Sequence, residues 1–131
     1  MKKIDKPLVF IAAGGTGGHI FPAQALADCI LKEGWRVKFL TDDRGAKYAN
    51  QFDEKVDVVT IPSSTLSGNN LIKKINAIFK LFLGTCLAIF YIIKNRPQVV
   101  AGFGGYPAFP TMLAATLFRV PLLIHEQNGV L

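Results

Sequence analysis

Residues Gly14-Gly15-Thr16-Gly17-Gly18-His19 stand between an apolar run, Leu8 to Ala12, and a helix-like stretch that Pro22 opens. Four glycines in the five positions 14 to 18 let the backbone turn sharply and let a ligand approach with no side chains in the way. The amides of a helix starting just beyond such a loop point outward and carry partial positive charge. A buried strand, a glycine turn and a helix start, in that order, make one corner of an α/β fold. They also make a cradle suited to a diphosphate or a sugar nucleotide. His19, at the lip, adds a side chain able to move protons near neutral pH.

Spacing narrows what such a loop can hold. A P-loop requires Gly-x-x-x-x-Gly-Lys-Ser/Thr, but His19 lies five positions after Gly14 and no Gly-Lys-Ser/Thr occurs in the chain. A dinucleotide fingerprint begins at Gly15-x-Gly17 but needs a third glycine where Ile20 stands. Asp42 or Asp43 follows the second apolar run, where a ribose-binding acid would lie, so a dinucleotide-binding module stays open as an alternative. A tight strand-to-helix turn with no ligand stays open too, although four glycines exceed what a turn needs.

The rest of the chain continues the alternation. Arg36 to Leu40 reads as a second strand, Ala46 to Phe52 as a brief helix, and Val56 to Ile61 as a third strand stopped by Pro62. A polar loop, Ser63 to Asn70, leads into a long helical region from Leu71 to Asn95. Gln98 to Ala101 is a fourth strand, Thr111 to Phe118 a helix, and Pro121 to Ile124 a fifth strand. Gly34 is placed to cap the first helix, which would run from Pro22. Strands alternating with helices predict a Rossmann-like parallel sheet with helices on both faces, in one domain of 131 residues. Ligands of such sheets bind beyond the carboxyl ends of the strands. Three loops fall there: Gly14 to His19, Gly102 to Tyr106, and His125 to Gly129.

A formal net charge of +6 favours anionic partners. Aromatic residues do not interleave with the basic ones as an RNA-stacking surface requires, so no nucleic-acid partner is expected. Cys29 and Cys86 lie in apolar helical segments without metal-ligand spacing, and are expected to be buried free thiols in a reducing compartment. The short apolar run near the N-terminus does not fit a secretory signal, which leads to the expectation of a cytoplasmic setting.

Between Leu71 and Lys94 the longest uncharged stretch, Leu81 to Ile93, has 13 residues, short of the roughly 20 of a membrane span. Wound as a helix, the segment puts Lys73, Asn76, Ala77, Lys80, Gly84, Tyr91 and Lys94 along one stripe. Ile75, Ile78, Phe79, Phe82, Cys86, Ile89, Phe90 and Ile93 fill the other side. That apolar arc is broader than a sheet-facing helix needs. An interfacial helix whose lysines meet acidic headgroups and an ordinary core helix both remain open.

The three rim loops, Gly14-Gly-Thr-Gly-Gly-His-Ile-Phe-Pro22, Gly102-Phe-Gly-Gly-Tyr106 and His125-Glu-Gln-Asn-Gly129, together resemble the N-terminal half of the MurG family. These are the bacterial N-acetylglucosaminyltransferases of peptidoglycan synthesis. The resemblance runs from Leu8 to Leu131. It implies a GT-B glycosyltransferase of which this chain, 1–131, is the acceptor- and membrane-side domain, the donor-binding C-terminal domain lying outside it. The implied reaction moves N-acetylglucosamine from UDP-GlcNAc to the C4 hydroxyl of the muramoyl sugar of lipid I, giving lipid II. It inverts the anomeric centre, needs no metal or other cofactor, and takes place at the cytoplasmic face of the plasma membrane. The family pattern assigns Thr16, Gly17, Gly18 and Asn128 to the donor.

On the same resemblance His19 is the candidate general base, with Glu126 assisting or orienting. Gly104, Gly105 and Tyr106 would position the acceptor sugar or diphosphate, and Gln127 would bond a sugar hydroxyl. A loop-bracing role for His19 and a structural one for Glu126 are the alternatives. His125 is expected to be a satisfied interior residue. After Tyr106 the chain departs from the family pattern, reading Pro107-Ala108-Phe109-Pro110. A non-catalytic membrane-recruiting subunit of a split GT-B enzyme is the alternative function.

Overall fold

A computed structural model describes residues 6–15, 17–63, 70–105 and 108–125. Five parallel strands, β1 (Leu8–Ala12), β2 (Arg36–Thr41), β3 (Asp57–Thr60), β4 (Val99–Gly102) and β5 (Leu122–Ile124), form one sheet in the order β3-β2-β1-β4-β5. Strand order reverses between β1 and β4, so the crevice for a ligand lies at their carboxyl ends. β1 reads Leu-Val-Phe-Ile-Ala without alternation because both of its faces are covered. Val9 and Ile11 pack with Ile20, Ala23 and Ala27 of helix α1 (Gly17–Lys32). Leu8 and Phe10 pack with residues of α3 (Leu71–Asn95) and α4 (Ala108–Leu117) on the opposite face. Full burial of a side chain such as Phe10 contributes roughly 1.5–3 kcal/mol.

Helix α1 begins at Gly17 and takes Pro22 into its second turn; the expected start at Pro22 is corrected. Proline there has no N–H to give the carbonyl four residues back, which belongs to Gly18, so the helix tolerates one missing bond near its start. The earlier start brings the helix amides directly onto the glycine loop. Gly34 follows the helix with φ +84°, the left-handed conformation that a C-terminal cap requires. In place of one brief helix over 46–52 there are two pieces, α2 (Asp43–Ala46) and a 3-10 turn at Ala49–Gln51. The Asp42 carboxylate starts α2 early by accepting from the Gly45 N–H at 2.9 Å. Helix α4 likewise starts at Ala108 rather than Thr111, with Pro110 in its first turn, where proline removes no helical bond.

Helix α3 spans the residues its pattern predicts, from an Asn70 cap whose Oδ1 accepts from the Ile72 N–H to Arg96 in a left-handed C-terminal cap. The face it turns inward carries mostly small residues, and the large apolar side chains turn outward. Ala77, Gly84, Ala88 and Ile92 are buried, whereas Ile75, Ile78, Phe79, Phe82, Phe90 and Ile93 are each more than half exposed. The reason is proximity: the Pro62 carbonyl after β3 occupies the place where a Cβ on Gly84 would stand. A helix brought that close accepts only small residues at the crossing, and the bulky ones turn outward.

Both cysteines are exposed, which corrects their expected burial. Cys29 and Cys86 each follow a buried position, Ala27 and Gly84, by two residues, and two helical steps of about 100° turn them away from the sheet. The fifth strand is also more open than expected. Leu123 and Ile124 are 56% and 61% exposed, because β5 is the edge of the sheet among the described residues.

Replacing Gly84 by Ala forces its Cβ into the Pro62 carbonyl and is expected to lower unfolding free energy by about 1–3 kcal/mol. Urea denaturation of the two proteins measures this, and an unchanged midpoint would contradict the close crossing.

Candidate functional site

The carboxyl ends of β1, β4 and β5 lie side by side, and the loops that leave them are joined by backbone hydrogen bonds. The Phe103 N–H donates to the Ala12 carbonyl at 2.8 Å, and the Gly14 N–H returns a bond to the Gly104 carbonyl at 3.0 Å. From the third loop the His125 N–H donates to the Gly102 carbonyl at 2.8 Å. The neighbouring β2 adds a brace: the buried Thr41 hydroxyl donates to the Ala13 carbonyl at 2.9 Å. The convergence expected from strand order is thus held in place by main-chain groups whose partners are otherwise hard to supply in a buried turn.

His19, in the first turn of α1, points its Nδ1 at the Phe103 carbonyl, 2.7 Å away. Gly104 and Gly105 both have positive φ, +90° and +86°, which glycine alone adopts readily. A Cβ built on Gly104 would stand 3.1 Å from His19 Cε1. One on Gly105 would stand 2.9 Å from the Gly14 Cα and 3.6 Å from His19 Cδ2. Protein atoms therefore lie where side chains would project at both positions. The imidazole is wedged at the junction of the two glycine loops and stays partly accessible.

Gly17 and Gly18 are the first two residues of α1, so their amides lack helical partners and sit beside His19 at this junction. Gly15 abuts α2: its Cβ would meet Arg44 Cβ at 2.6 Å and Asp42 Oδ1 at 2.9 Å. Asp42, the acid that a dinucleotide reading would assign to a ribose, is engaged as the cap of α2 and contacts Arg44 at 3.4 Å. His125 is exposed and rests its ring on Phe103, with centroids 5.1 Å apart and planes tilted by 31°; the expectation of an interior residue is corrected. It has no second layer of described structure to cover it. Thr16, Tyr106, Glu126, Gln127 and Asn128 lie outside the described residues.

Sequence reasoning missed Phe103 and Thr41. Neither belongs to a residue class that signals chemistry, since Phe103 acts through its carbonyl and Thr41 through a bond to a backbone 28 residues away.

Residues 9–131 match the glycosyltransferase family 28 N-terminal domain. The UDP-N-acetylglucosamine–N-acetylmuramyl-(pentapeptide) pyrophosphoryl-undecaprenol N-acetylglucosamine transferase of Sinorhizobium fredii is 46% identical over 128 residues, covering 98% of this chain and 34% of that protein. The protein of the same name from a Rhodopseudomonas palustris strain is 48% identical, over 97% of this chain and 34% of its own length. The crystal structure of Acinetobacter baumannii MurG superposes with a TM-score of 0.79 at 39% identity, over 94% of this chain and 36% of that one. The chain spans about a third of the length of the curated relatives it matches.

Thr41→Val removes the donor to the buried Ala13 carbonyl and is expected to cost about 1–3 kcal/mol of stability. Chemical denaturation reads the loss, and amide exchange at residues 13–15 should quicken with it.

Proposed function

This chain belongs to glycosyltransferase family 28 as its N-terminal domain, and from that premise we propose that it is the acceptor- and membrane-facing part of an enzyme making lipid II. The enzyme transfers N-acetylglucosamine from UDP-GlcNAc to the C4 hydroxyl of the muramoyl sugar of lipid I. The observation that carries this reading is His19, seated at the β1–β4 crevice between two glycine loops with one ring nitrogen bonded to protein. Names of the relatives support the donor and acceptor classes.

In this reading His19 takes the proton of the C4 hydroxyl as that oxygen attacks the anomeric carbon. The bond to UDP breaks on the opposite side, and the configuration inverts. No metal or other cofactor enters the reaction. The amides of Gly17 and Gly18, with Thr16 and Asn128, serve the donor, most of which is held by a C-terminal domain. Gly104, Gly105 and Tyr106 serve the acceptor sugar or its diphosphate, Gln127 a sugar hydroxyl, and Glu126 orients or assists the base. A non-catalytic recruiting role is the second reading; the ring placement of His19 favours catalysis over it, because recruitment needs no oriented base.

Helix α3 supplies the membrane contact. Ile72, Ile75, Phe79 and Phe82 are exposed along it, with Lys73, Lys74 and Lys80 among them. Ile72, Lys73, Ile75, Asn76 and Phe79 line a groove of about 430 Å³. Taken whole, the helix is apolar enough by length and composition to cross a bilayer, with mean hydropathy 1.9 over an 18-residue window, which corrects the expectation drawn from its uncharged stretch alone. Its contacts favour lying along the surface instead, since Ala77, Gly84, Ala88 and Ile92 pack on the domain over most of its length. The large side chains then enter the interface while lysines meet acidic headgroups. The protein is thus read as a peripheral enzyme of the cytoplasmic membrane face, without a nucleic-acid partner.

Joined to the C-terminal half of a relative, the chain is expected to transfer N-acetylglucosamine, and His19→Ala to lower kcat about 10²–10⁴-fold. Transfer that persists in His19→Ala would remove the base assignment. Ile75→Glu with Phe82→Glu is expected to weaken sedimentation with anionic phospholipid vesicles at least about tenfold. Added salt should weaken the parent's binding as well; unchanged binding in the variant would exclude this face.

A further inference from the structure

Of the two imidazoles at the described rim, His19 is the one wedged between the glycine loops, and a base with two nitrogens works only if the correct one is free. A carbonyl oxygen accepts and never donates, so the 2.7 Å contact between His19 Nδ1 and the Phe103 carbonyl requires the proton to sit on Nδ1. In the neutral ring Nε2 is then the sole acceptor. We propose that the second glycine loop is a positioning device for His19, with Phe103 setting the tautomer through its carbonyl, Gly104 leaving the space that the ring fills, and Gly105 letting the Gly14 backbone come close. This rests on the reading of His19 as the base.

Three features of the loop fit that role. Two consecutive positive φ angles, at Gly104 and Gly105, shape the turn that follows the Phe103 carbonyl. The carbonyls of residues 103 and 104 both face the first loop, one taking the His19 ring and the other the Gly14 N–H. A methyl group at 104 would press on Cε1, the ring carbon that joins the two nitrogens. Gly104 is thus needed by the protein's own imidazole and Gly105 by the Gly14 backbone, in addition to any ligand that approaches the loop. The Phe103 ring in turn lies against His125 at the end of β5. Gly104 is a positioning residue in this scheme, since it acts through His19.

Nuclear magnetic resonance of the 131-residue chain with ¹⁵N-labelled histidine, in mildly alkaline buffer, reads the tautomer directly. The expected spectrum has His19 protonated at Nδ1, the minority form of free histidine. A ring protonated at Nε2 would overturn the proposal. Gly104→Ala is expected to shift His19 toward the Nε2-protonated form.

Gly34→Ala is the matched control. Gly34 has a similar φ, +84°, and nothing within 4 Å of an added Cβ, so it carries the backbone strain without touching the ring. A tautomer that stays at Nδ1 in Gly104→Ala, or that moves equally in Gly34→Ala, would also overturn the proposal. In the full-length fusion Gly104→Ala should lower kcat about 10²-fold, as expected for a misplaced base. Full transfer by His19→Ala would remove the base reading instead, and the tautomer result would stand apart from it.

Discussion

The bond from the Gly14 N–H to the Gly104 carbonyl, with Phe103 N–H returning to Ala12, ties the ends of β1 and β4 together at the point where strand order reverses. Two loops far apart in sequence become one surface there. An open β1–β4 crevice would leave main-chain groups without partners, at a cost comparable to a lost hydrogen bond for each. Closing it brings the start of α1, and with it His19, against the second loop. The rim's geometry is therefore a by-product of satisfying backbone groups. No long side chain is needed to assemble it, and small residues are required because the two backbones approach so closely.

A second close approach governs the other side of the sheet. Gly84 of α3 lies against the Pro62 carbonyl, and Ala77, Ala88 and Ile92 continue the seam. Once the helix sits that near, Phe79, Phe82, Phe90 and the isoleucines other than Ile89 and Ile92 face outward. The same packing that stabilises the domain thus creates an exposed apolar ridge flanked by lysines. One constraint links fold stability to a surface suited to a lipid boundary, and a change at Gly84 would disturb both.

Much of the architecture was legible in the chain. Unbroken apolar runs announced a sheet buried on both faces, glycine and proline punctuated the elements, and the limits of α3 followed from its pattern and its Asn70 cap. Less legible were positions decided by contacts between distant segments. The early start of α1, at Gly17 rather than Pro22, arises because the glycine loop already supplies the turn and a proline in the second turn forfeits only one bond. The inward face of α3, left open by its pattern, followed mostly its small residues. Cys29, Cys86 and His125 were expected inside and are outside, since a helix rotation or an edge strand decides exposure.

By itself the amino-acid sequence determined the class of fold, the order of its elements, and which strand ends meet at the carboxyl rim, because these follow from local periodicity and from the handedness of strand–helix–strand connections. Only the tertiary structure decided that the Phe103 carbonyl and Gly104 hold His19, and that the bulky face of α3 stays uncovered. Hydrogen bonds to main-chain oxygens and the room left for a Cβ depend on distances between segments some 20 to 85 residues apart, and residue type carries no record of them.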